Sequence, residues 1–291
     1  MKGIILAGGL GSRLYPATRV VSKQLLTIYD KPMVFYPIST LMLAGIKDIL
    51  IISTPTDISN FKKLLGSGDE LGLNFSYKTQ KNPEGLAQAF IIGNEFIANH
   101  DVCLILGDNI FYGNGLTELL LDAKNNTINN NEATIFGYNV DEPERYGVVE
   151  FDQNQKVLSI EEKPKKPKSN YAIVGLYFYP NSVIKKVKNV RKSDRGEYEI
   201  SSLNQLYMKN KKLKVEIMHR GFTWFDTGTH ESMLEASNFI STIEKRQGLK
   251  VSCLEEIAYK KGFIDEKKFK KLINFYNNSP YSNYLKKILR W

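Results

Sequence analysis

Continuous apolar runs and amphipathic stretches alternate along the first hundred residues of the chain. Short apolar runs, typical of strands buried on both faces, occupy residues 3–7, 48–53, 74–79 and 102–106. Segments with apolar residues at helical spacing separate these runs and cover residues 32–44, 57–65 and 84–97. Strands of this kind, joined through helices, form mostly parallel sheets with helices on both faces. The pattern therefore predicts a Rossmann-like α/β fold around a mostly parallel or mixed central sheet.

The second half of the chain predicts shorter and more varied elements. Strands are predicted at residues 133–138, 147–151, 157–160, 172–179 and 214–218. Helices are predicted at residues 182–187, 200–209 and 230–246. The polar run 125–131 and the proline-bounded run 164–168 predict surface loops. The lysine-rich sequence beyond Gly248 predicts a small helical appendage at the C-terminus.

Composition and charge narrow the class of protein. The chain has 291 residues, of which 42% are hydrophobic, so it can bury a substantial core. Its net charge is +9, but residues 260–291 alone carry nine Lys and Arg against Asp265 and Glu266. Because most of the excess charge lies on this predicted helical segment and not along a groove, we expect no nucleic-acid partner.

Hydropathy and cysteine content indicate where the protein works. No apolar run approaches the roughly 20 residues that a membrane-spanning helix needs, and the N-terminus leads straight into a predicted strand. We therefore expect a cytoplasmic protein with no membrane partner. Cys103 and Cys253 lie far apart in apolar surroundings, which predicts two buried free thiols.

A glycine-rich turn directly follows the first predicted strand. It contains Gly8, Gly9 and Gly11, followed by Ser12 and Arg13, and Lys23 comes ten residues later. Glycines let backbone amides approach an anion closely, and both Arg and Lys bind phosphate oxygens. A simple turn with a surface arginine is the alternative interpretation.

The two common glycine-rich phosphate motifs do not fit this turn. Leu14 stands where a dinucleotide-binding motif needs a third glycine or alanine, which argues against an NAD-dependent oxidoreductase. A Walker A loop needs Gly-Lys-Ser or Gly-Lys-Thr, whereas Gly11 is followed by Ser12 and Arg13.

Two aspartates follow apolar segments and are candidate metal ligands. Asp108 comes directly after the strand predicted at 102–106, and Asp226 follows an aromatic run. Mg²⁺ typically binds one or two carboxylates and completes its shell with phosphate and water. The alternative for each aspartate is a capping role at the start of a following helix.

Further polar residues suit recognition of a base, a sugar and a second phosphate. Gln80 has both donors and an acceptor, so it could recognise the edge of a pyrimidine, although a surface glutamine is the alternative. Glu162 could accept hydrogen bonds from sugar hydroxyls and Lys163 could neutralise a phosphate, or both could lie on an exposed strand end. The three histidines lack metal-ligand spacing, and no serine nucleophile motif is present.

The longest motif extends from Leu6 through Thr18 and continues in Ser22-Lys23-Gln24-Leu25-Leu26 and Asp30-Lys31-Pro32-Met33. It resembles the signature of sugar-1-phosphate nucleotidyltransferases, and among them most closely the members that transfer a thymidylyl group. The resemblance implies transfer from dTTP to α-D-glucose 1-phosphate, giving dTDP-glucose and pyrophosphate for deoxysugar synthesis such as that of dTDP-rhamnose. The alternatives are a uridylyltransferase of the same fold and a nucleotide-binding protein without turnover.

The resemblance also implies a role for each candidate residue. The implied catalytic residues are Arg13, Lys23, Asp108, Lys163 and Asp226, and the implied ligands of Mg²⁺ are Asp108 and Asp226. The implied nucleotide-binding residues are Gly8, Gly9, Gly11, Ser12, Arg13, Gln24, Gln80, Pro83, Gly85 and Asp108. The implied sugar-phosphate-binding residues are Asn109, Tyr146, Gly147, Glu162, Lys163, Val174 and Trp224.

The resemblance covers essentially the whole chain and implies its organisation. Residues 1–240 would form the catalytic domain, with nucleotide binding over about 1–110 and sugar binding over about 111–240. Residues 241–291 would be a helical segment for oligomerisation and regulation, and the family forms homotetramers. A regulatory nucleotide site is implied at Tyr112, Gly113, Arg220 and Glu256. Thr117 and Lys260 depart from that pattern, which has histidine and arginine there.

Overall fold

A mixed, nine-stranded sheet forms the centre of the computed structural model, which describes residues 1–9 and 11–290. Leu10 of the glycine-rich turn and Trp291 lie outside the described residues. The strands are β1 (Lys2–Ala7), β2 (Thr27–Ile28), β3 (Lys31–Pro32), β4 (Asp48–Ser53), β5 (Asn74–Thr79), β6 (Val102–Leu106), β7 (Asn109–Gly113), β8 (Ala133–Asn139), β9 (Gly147–Phe151), β10 (Val157–Glu162), β11 (Tyr171–Tyr179), β12 (Leu213–Met218) and β13 (Phe222–Asp226).

The first half of the sheet is parallel, as the sequence predicts. Strands β5, β4, β1 and β6 lie side by side and pair in parallel. Strand β11 continues the sheet antiparallel to β6 and also pairs with β8 and β9. Strand β10 pairs antiparallel with β9, and β12 pairs in parallel with β8. The predicted α/β fold with a mixed central sheet is confirmed.

Helices cover both faces of the sheet. They are α1 (Phe35–Leu43), α2 (Ile58–Leu65), α3 (Gln88–Ile92), α4 (Asn94–Ile97), α5 (Leu116–Asn130), α6 (Val183–Lys186), α7 (Ile200–Lys209), α8 (His230–Gln247), α9 (Leu254–Lys260), α10 (Glu266–Phe275) and α11 (Pro280–Ile288). Successive strand residues point to opposite faces, so Ile5 packs into one buried cluster and Ile4 into another.

The polar run predicted to be a loop at 125–131 is instead the end of α5, and that prediction is wrong. Asn126 is buried and donates from its amide nitrogen to Thr134 Oγ1 at 3.0 Å, while Asn130 Nδ2 donates to Asn126 Oδ1 at 2.9 Å. Asn131 adopts φ of +54° and ends the helix. Asparagine side chains that find partners within the fold can therefore continue a helix despite their low intrinsic propensity.

The predicted helix at 84–97 is shorter and divided in the structure. Residues 84–87 are not helical, and Gly93 separates α3 from α4. A Cβ at Gly93 would lie 2.9 Å from both the carbonyl oxygen of Ala89 and the side chain of Ile4. The close packing of this helix on β1 therefore explains the glycine.

The C-terminal helices belong to the main core. Leu254, Phe269 and Leu285, from α9, α10 and α11, lie in the same buried cluster as Ile5 of β1. Helix α8 runs across residue 240, the predicted domain boundary, so the division of the chain there stays a prediction. Among the described residues, no helix is both long and apolar enough to cross a membrane. Cys103 and Cys253 are buried free thiols, as predicted.

Candidate active site

The glycine-rich turn leaves β1 at the carboxyl edge of the parallel strands. Gly9 has φ of +102° and Gly11 has φ of +58°, both in the region that favours glycine. A short 3₁₀ helix (Ser12–Leu14) follows, anchored by the buried side chain of Leu14. The turn thus carries its backbone past the end of β1 and presents Arg13, whose side chain is exposed.

A single cleft of about 710 Å³ lies at this edge of the sheet, where α/β proteins commonly bind ligands. Gly8, Gln80 and Asp108 directly follow or lie just beyond β1, β5 and β6, and all three line the cleft. The other predicted site residues that line it are Gly9, Arg13, Pro83, Gly85, Asn109, Tyr146, Gly147, Glu162, Lys163, Trp224 and Asp226.

A smaller cavity of about 220 Å³ adjoins the cleft and shares Gly8, Gly9 and Arg13 with it. Gly11, Ser12, Lys23 and Gln24 line this second cavity. The predicted nucleotide-binding residues therefore surround two connected spaces at one end of the site.

Strand β7 begins directly after Asp108, so the alternative of a helix cap at this residue is wrong. The ammonium of Lys23 forms an ion pair with Asp108 Oδ2, and both side chains are largely buried. Burial alone would raise the pKa of Asp108, but the charge and hydrogen bond of Lys23 outweigh it and hold that pKa below its usual value. Asp108 is therefore ionised at neutral pH.

Pairing of β7 with β13 brings the second candidate aspartate beside the first. The two strands are antiparallel, with Asp226 opposite Asn109, and Thr227 donates from N and Oγ1 to the carbonyl oxygen of Asp108. Burial and the negative charge of Asp108 raise the pKa of Asp226 to about 6. Thr229, and not Asp226, caps the following helix α8.

Asn109 orients Asp108 through its side-chain amide, which has only one possible orientation. Its Oδ1 accepts hydrogen bonds from Gly175 N at 3.0 Å and from Trp224 Nε1 at 2.7 Å. Both donors are unambiguous, so Nδ2 must face Asp108, and it donates to Oδ1 at 3.0 Å. A Cβ at Gly175 would lie 2.6 Å from Asn109 Oδ1, which explains glycine at that position.

A carboxylate and an aromatic pair shape another part of the cleft. Ser201, near the start of α7, donates from Oγ to Glu162 Oε2 at the end of β10. Burial raises the pKa of Glu162, and the neighbouring Glu199 raises it further. The rings of Tyr146 and Trp224 meet edge to face with centroids 5.2 Å apart.

Two predicted cations in the cleft have no ion-pair partner within the described part of the chain. Arg13 and Lys163 are both exposed and both line the cleft. Lys163 adopts φ of +44°, a conformation that costs a non-glycine residue on the order of 1 kcal/mol. Free positive charge in a cleft favours binding of anions.

Gln80 is buried and is not the surface glutamine of the alternative interpretation. A Cβ at Gly8 would lie 2.3 Å from Gln80 Oε1, so glycine at position 8 makes room for this amide. Gly85, with φ of +99°, contacts the backbone of Tyr198, where an added Cβ would lie 2.5 Å from the carbonyl oxygen.

Sequence reasoning missed Arg195, Glu199 and Ser201, which also line the cleft. Arg195 forms an ion pair with Glu199 through two nitrogens, at 2.9 to 3.2 Å, and approaches Glu162 Oε1 at 3.6 Å. The dense run of charged residues from Arg191 to Glu199 is a sequence signal that could have identified this segment.

Some predicted residues do not lie in the cleft. The side chain of Val174 is fully buried in the core, whereas the neighbouring Ile173 and Gly175 line the cleft, so only a backbone contact at Val174 stays a prediction. Tyr112 and Gly113 lie in β7, and Arg220 lies in the turn before β13. Glu256 lies on α9, where no hydrogen bond or ion pair within the described residues joins it to these three.

Comparison with known proteins agrees with this arrangement. The model of the nucleotidyl transferase family matches residues 2–243. A glucose-1-phosphate thymidylyltransferase of Neisseria meningitidis is 53% identical over 290 residues, covering 100% of both chains. The enzyme of the same name from Mycobacterium tuberculosis is 52% identical over 289 residues, covering 99% of both chains.

Solved structures share the fold. A Bacillus anthracis protein assigned as a glucose-1-phosphate thymidylyltransferase, in complex with sucrose, superposes with a TM-score of 0.75 and 40% identity, covering 82% of this chain and 94% of that one. A UDP-glucose pyrophosphorylase bound to UDP-glucose shares the fold with a TM-score of 0.73 at 24% identity. The match covers 84% of this chain and 99% of that one. The chain is an enzyme of the nucleotidyl transferase family and belongs, within that family, to the glucose-1-phosphate thymidylyltransferases.

Proposed function

We propose that this enzyme transfers a thymidylyl group from dTTP to α-D-glucose 1-phosphate, releasing pyrophosphate. One observation carries the proposal: a single cleft contains a glycine-rich turn with Arg13, two adjacent carboxylates, and Glu162 with Lys163. These groups suit a triphosphate, a cation and a sugar phosphate respectively, so two anionic substrates could bind side by side. The relatives named for this activity support the same substrates.

In the proposed reaction, an oxygen of the sugar phosphate attacks the α-phosphorus of dTTP. A bond forms between that oxygen and phosphorus, and the bond from phosphorus to the bridging oxygen breaks, so pyrophosphate leaves with its electron pair. The step needs positioning and charge neutralisation and no covalent intermediate. Consistent with this, both cysteines are buried, and the three histidines are exposed and lie outside the cleft lining.

The chain's own cations bring the two anions together. Arg13 would bind the triphosphate and stabilise the pyrophosphate as it leaves, because its planar guanidinium matches phosphate oxygens. Lys163 would neutralise the phosphate of the sugar. Lys23 would exchange its contact with Asp108 for contact with phosphate oxygens when the nucleotide binds.

Asp108 and Asp226 fit a Mg²⁺ ion. The negative charge of Asp108 raises the pKa of Asp226, and a divalent cation bound between the two carboxylates would offset this repulsion. The ammonium of Lys23 already lies against Asp108. No larger cluster of potential metal ligands occurs among residues 1–9 and 11–290, and Mg²⁺ needs only one or two carboxylates beside phosphate and water. When bound, Mg²⁺ would offset negative charge on the reacting phosphates.

A pyrophosphate-release assay tests the proposal. Glucose 1-phosphate and Mg²⁺ are supplied with dTTP, UTP or another nucleoside triphosphate in turn. We expect release with dTTP; a preference for UTP would favour a uridylyltransferase, and no release with any nucleotide would favour a binding protein without turnover.

Arginine variants test the proposed role of the glycine-rich turn. Arg13→Ala should lower turnover about 10²- to 10³-fold without changing the unfolding transition, as loss of a transition-state donor typically does. Arg19→Ala is the matched control, because Arg19 is exposed nearby and does not line the cleft. Near-normal release by Arg13→Ala would overturn the role assigned to Arg13.

We also propose that the chain forms a homotetramer with a regulatory nucleotide site at Tyr112, Gly113, Arg220 and Glu256. The high identity to its relatives along the whole chain supports this, although Thr117 and Lys260 alter the site. Sedimentation of the purified protein tests the oligomer, and inhibition by dTDP-rhamnose tests the regulation. A monomer, or activity that dTDP-rhamnose does not change, would contradict the respective half of this proposal.

A further inference from the structure

We propose that Gln88 is a positioning residue that fixes the amide of Gln80, so that Gln80 selects thymine and uracil over cytosine in the nucleotide. This inference rests on the proposed function, because that function puts a pyrimidine nucleotide in the cleft beside Gln80. Its basis is a chain of hydrogen bonds from Glu84 through Gln88 to Gln80. Each bond in this chain constrains the next one.

Glu84 fixes which way round the amide of Gln88 lies. The backbone N–H of Glu84 donates to Gln88 Oε1 at 3.2 Å, and the carboxylate of Glu84 accepts from Gln88 Nε2 at 2.9 Å. A backbone N–H can only donate and an ionised carboxylate can only accept, so neither contact survives if the amide is turned over. Gln88 therefore presents its carbonyl oxygen, and not its nitrogen, towards Gln80.

Gln88 in turn fixes Gln80. The contact between the two side chains is 2.6 Å long, and because the atom on Gln88 is an acceptor, the atom on Gln80 must be the donor Nε2. Gln80 Oε1 then lies over Gly8 in the cleft lining. No donor among the described residues reaches this oxygen, which is thus available to a ligand.

The segment around Glu84 is itself held in place. The carbonyl oxygen of Glu84 accepts from Tyr198 N at 2.7 Å, and Ala87 N donates to the carbonyl oxygen of Tyr198 at 3.1 Å. Lys192 also pairs with the free carboxylate oxygen of Glu84 at 2.6 Å, in a partly exposed position. Glu84, from which the series of hydrogen bonds to Gln88 and Gln80 starts, is therefore held in a fixed position.

An amide held in one orientation distinguishes pyrimidines. Thymine and uracil offer an N3–H donor next to an O4 acceptor, which complements a carbonyl oxygen next to an N–H. Cytosine reverses both groups, with an N3 acceptor next to an amino donor, so it would pair only if Gln80 turned over. Turning Gln80 over would set Gln80 Oε1 against Gln88 Oε1, oxygen against oxygen, and lose the hydrogen bond between the two side chains.

Two substitutions of opposite hydrogen-bonding character test this inference. Gln88→Glu, made together with Glu84→Gln so that carboxylate and amide exchange places and do not repel one another, offers only acceptors to Gln80 and should keep its orientation. Gln88→Lys offers only donors to Gln80, so it should turn the Gln80 amide over. The carboxylate of Glu84 balances the new positive charge. The ratio of kcat/KM for dTTP to that for dCTP is measured at saturating glucose 1-phosphate.

We expect the wild type and the Gln88→Glu, Glu84→Gln double variant to share a high ratio, and Gln88→Lys to lower it about 10- to 100-fold, the usual range for a two-bond base contact. Gln88→Leu, which removes the restraint without adding charge, should lower the ratio less and serves if the lysine variant does not fold. The KM for glucose 1-phosphate should not change. Lys192→Met, which breaks only the outer ion pair, is the matched control and should behave as the wild type.

The outcomes separate this inference from the proposed function. Equal ratios in the Gln88→Glu, Glu84→Gln double variant and in Gln88→Lys, or a wild type that uses dCTP as well as dTTP, would overturn the positioning role while leaving nucleotidyl transfer intact. Absence of sugar-nucleotide product with every pyrimidine nucleotide would instead overturn the proposed function, and this inference with it.

Discussion

At the scale of single residues, the cleft depends on side-chain amides whose two ends cannot be exchanged. Asn109 receives two unambiguous donors at its oxygen and so must turn its nitrogen to Asp108. The amides of Gln80 and Gln88 are fixed in the same way, because each contacts a group that can act only as an acceptor or only as a donor. Glycines at positions 8 and 175 leave the space in which these amides lie. Polar groups that are oriented before a ligand binds need no reorganisation when it does.

Gly175→Ala tests this dependence. The new Cβ would lie 2.6 Å from both Asn109 Oδ1 and Leu106 in a fully packed region, so the free energy of unfolding should fall by about 1–3 kcal/mol. Turnover should fall as well, because Asn109 would no longer orient Asp108.

Gly137→Ala is the matched control. Gly137 lies in β8, where an added Cβ would lie 3.2 Å from the flexible end of Ile217 and at ordinary contact distances of 3.5 and 3.6 Å from Val215 and Tyr171. Urea denaturation compares the two variants, and equal stability of Gly175→Ala and the wild type would show that the packing around Asn109 tolerates the methyl group.

At the scale of elements, the pairing of β7 with β13 assembles the acidic part of the site. It joins residues more than a hundred positions apart, and helix α8 begins just after it. The N-terminus of α8 has a capping box in which Thr229 and Ser232 each bond to the other's backbone N–H. The cap fixes where the segment from Asp226 to Gly228 must end.

Thr229→Ala should lower the free energy of unfolding by about 1 kcal/mol, because it leaves an N–H at the start of α8 without its side-chain acceptor. Thr242→Ala, in the middle of the same helix, removes a methyl and a hydroxyl without touching the cap and should be neutral or slightly stabilising. Thermal unfolding measures both. A Thr229→Ala protein that melts at the wild-type temperature would argue that the cap contributes nothing.

The sequence predicts those elements whose hydrophobic pattern is visible within the element itself. It misses those that depend on partners distant in the sequence. Strands β1, β4 and β6 contain continuous apolar runs, whereas β5 alternates polar with aromatic residues and is only partly buried; in each strand the signal lies within the strand itself. Strand β13 is a half-buried aromatic run with no alternation, and its partner is distant in sequence, so nothing nearby marks it as a strand. The sequence predicts no helix at the position of α5 and predicts a loop at 125–131, because the asparagines there find partners only in the folded chain.

The same distinction applies to the site. Arg13, Asp108 and Gly8 follow strand ends and could be predicted because parallel strands share one carboxyl edge. Arg195 and Ser201 reach the cleft from a distant loop and helix. Their positions depend on the packing of α7 against β10, which the sequence does not display.

At the scale of the whole molecule, a buried cluster of charges joins the two ends of the chain. Lys31, in the β2–β3 hairpin, pairs with Asp30 at 2.5 Å and with Glu244 of α8 at 3.0 Å. Lys250 also pairs with both acids and lies against the rings of Tyr281 and Tyr284 in α11. This cluster connects the C-terminal helices to the hairpin that follows the segment of Lys23 and Gln24.

Asp30 makes this connection sensitive to acid. Burial alone would raise its pKa, but Lys31 and the hydrogen bond from Lys250 outweigh burial and lower the pKa below the ordinary value of 3.8. A lowered carboxyl pKa contributes stability that is present above pH 3.8 and is lost as the pH falls through the pKa of the folded state.

Asp30→Asn should therefore be less stable than the wild type at neutral pH, by about 1–3 kcal/mol for the loss of charged hydrogen bonds. The difference should stay constant down to about pH 5 and shrink below about pH 4. Urea denaturation of both proteins across this range measures it. A difference that persists or widens in acid would show that the charge of Asp30 is not what stabilises the cluster.

In the proposed reaction, one cleft holds both substrates and joins them by direct displacement. Following the configuration at phosphorus through one turnover distinguishes this reaction from a two-step one. The substrate is dTTP in which sulfur replaces one α-phosphate oxygen, so that the α-phosphorus is a stereocentre of known configuration. Direct attack by glucose 1-phosphate predicts a sugar nucleotide with inverted configuration at that phosphorus. Retention would rule out direct displacement, because it requires two displacements and hence a covalent nucleotidyl–enzyme intermediate.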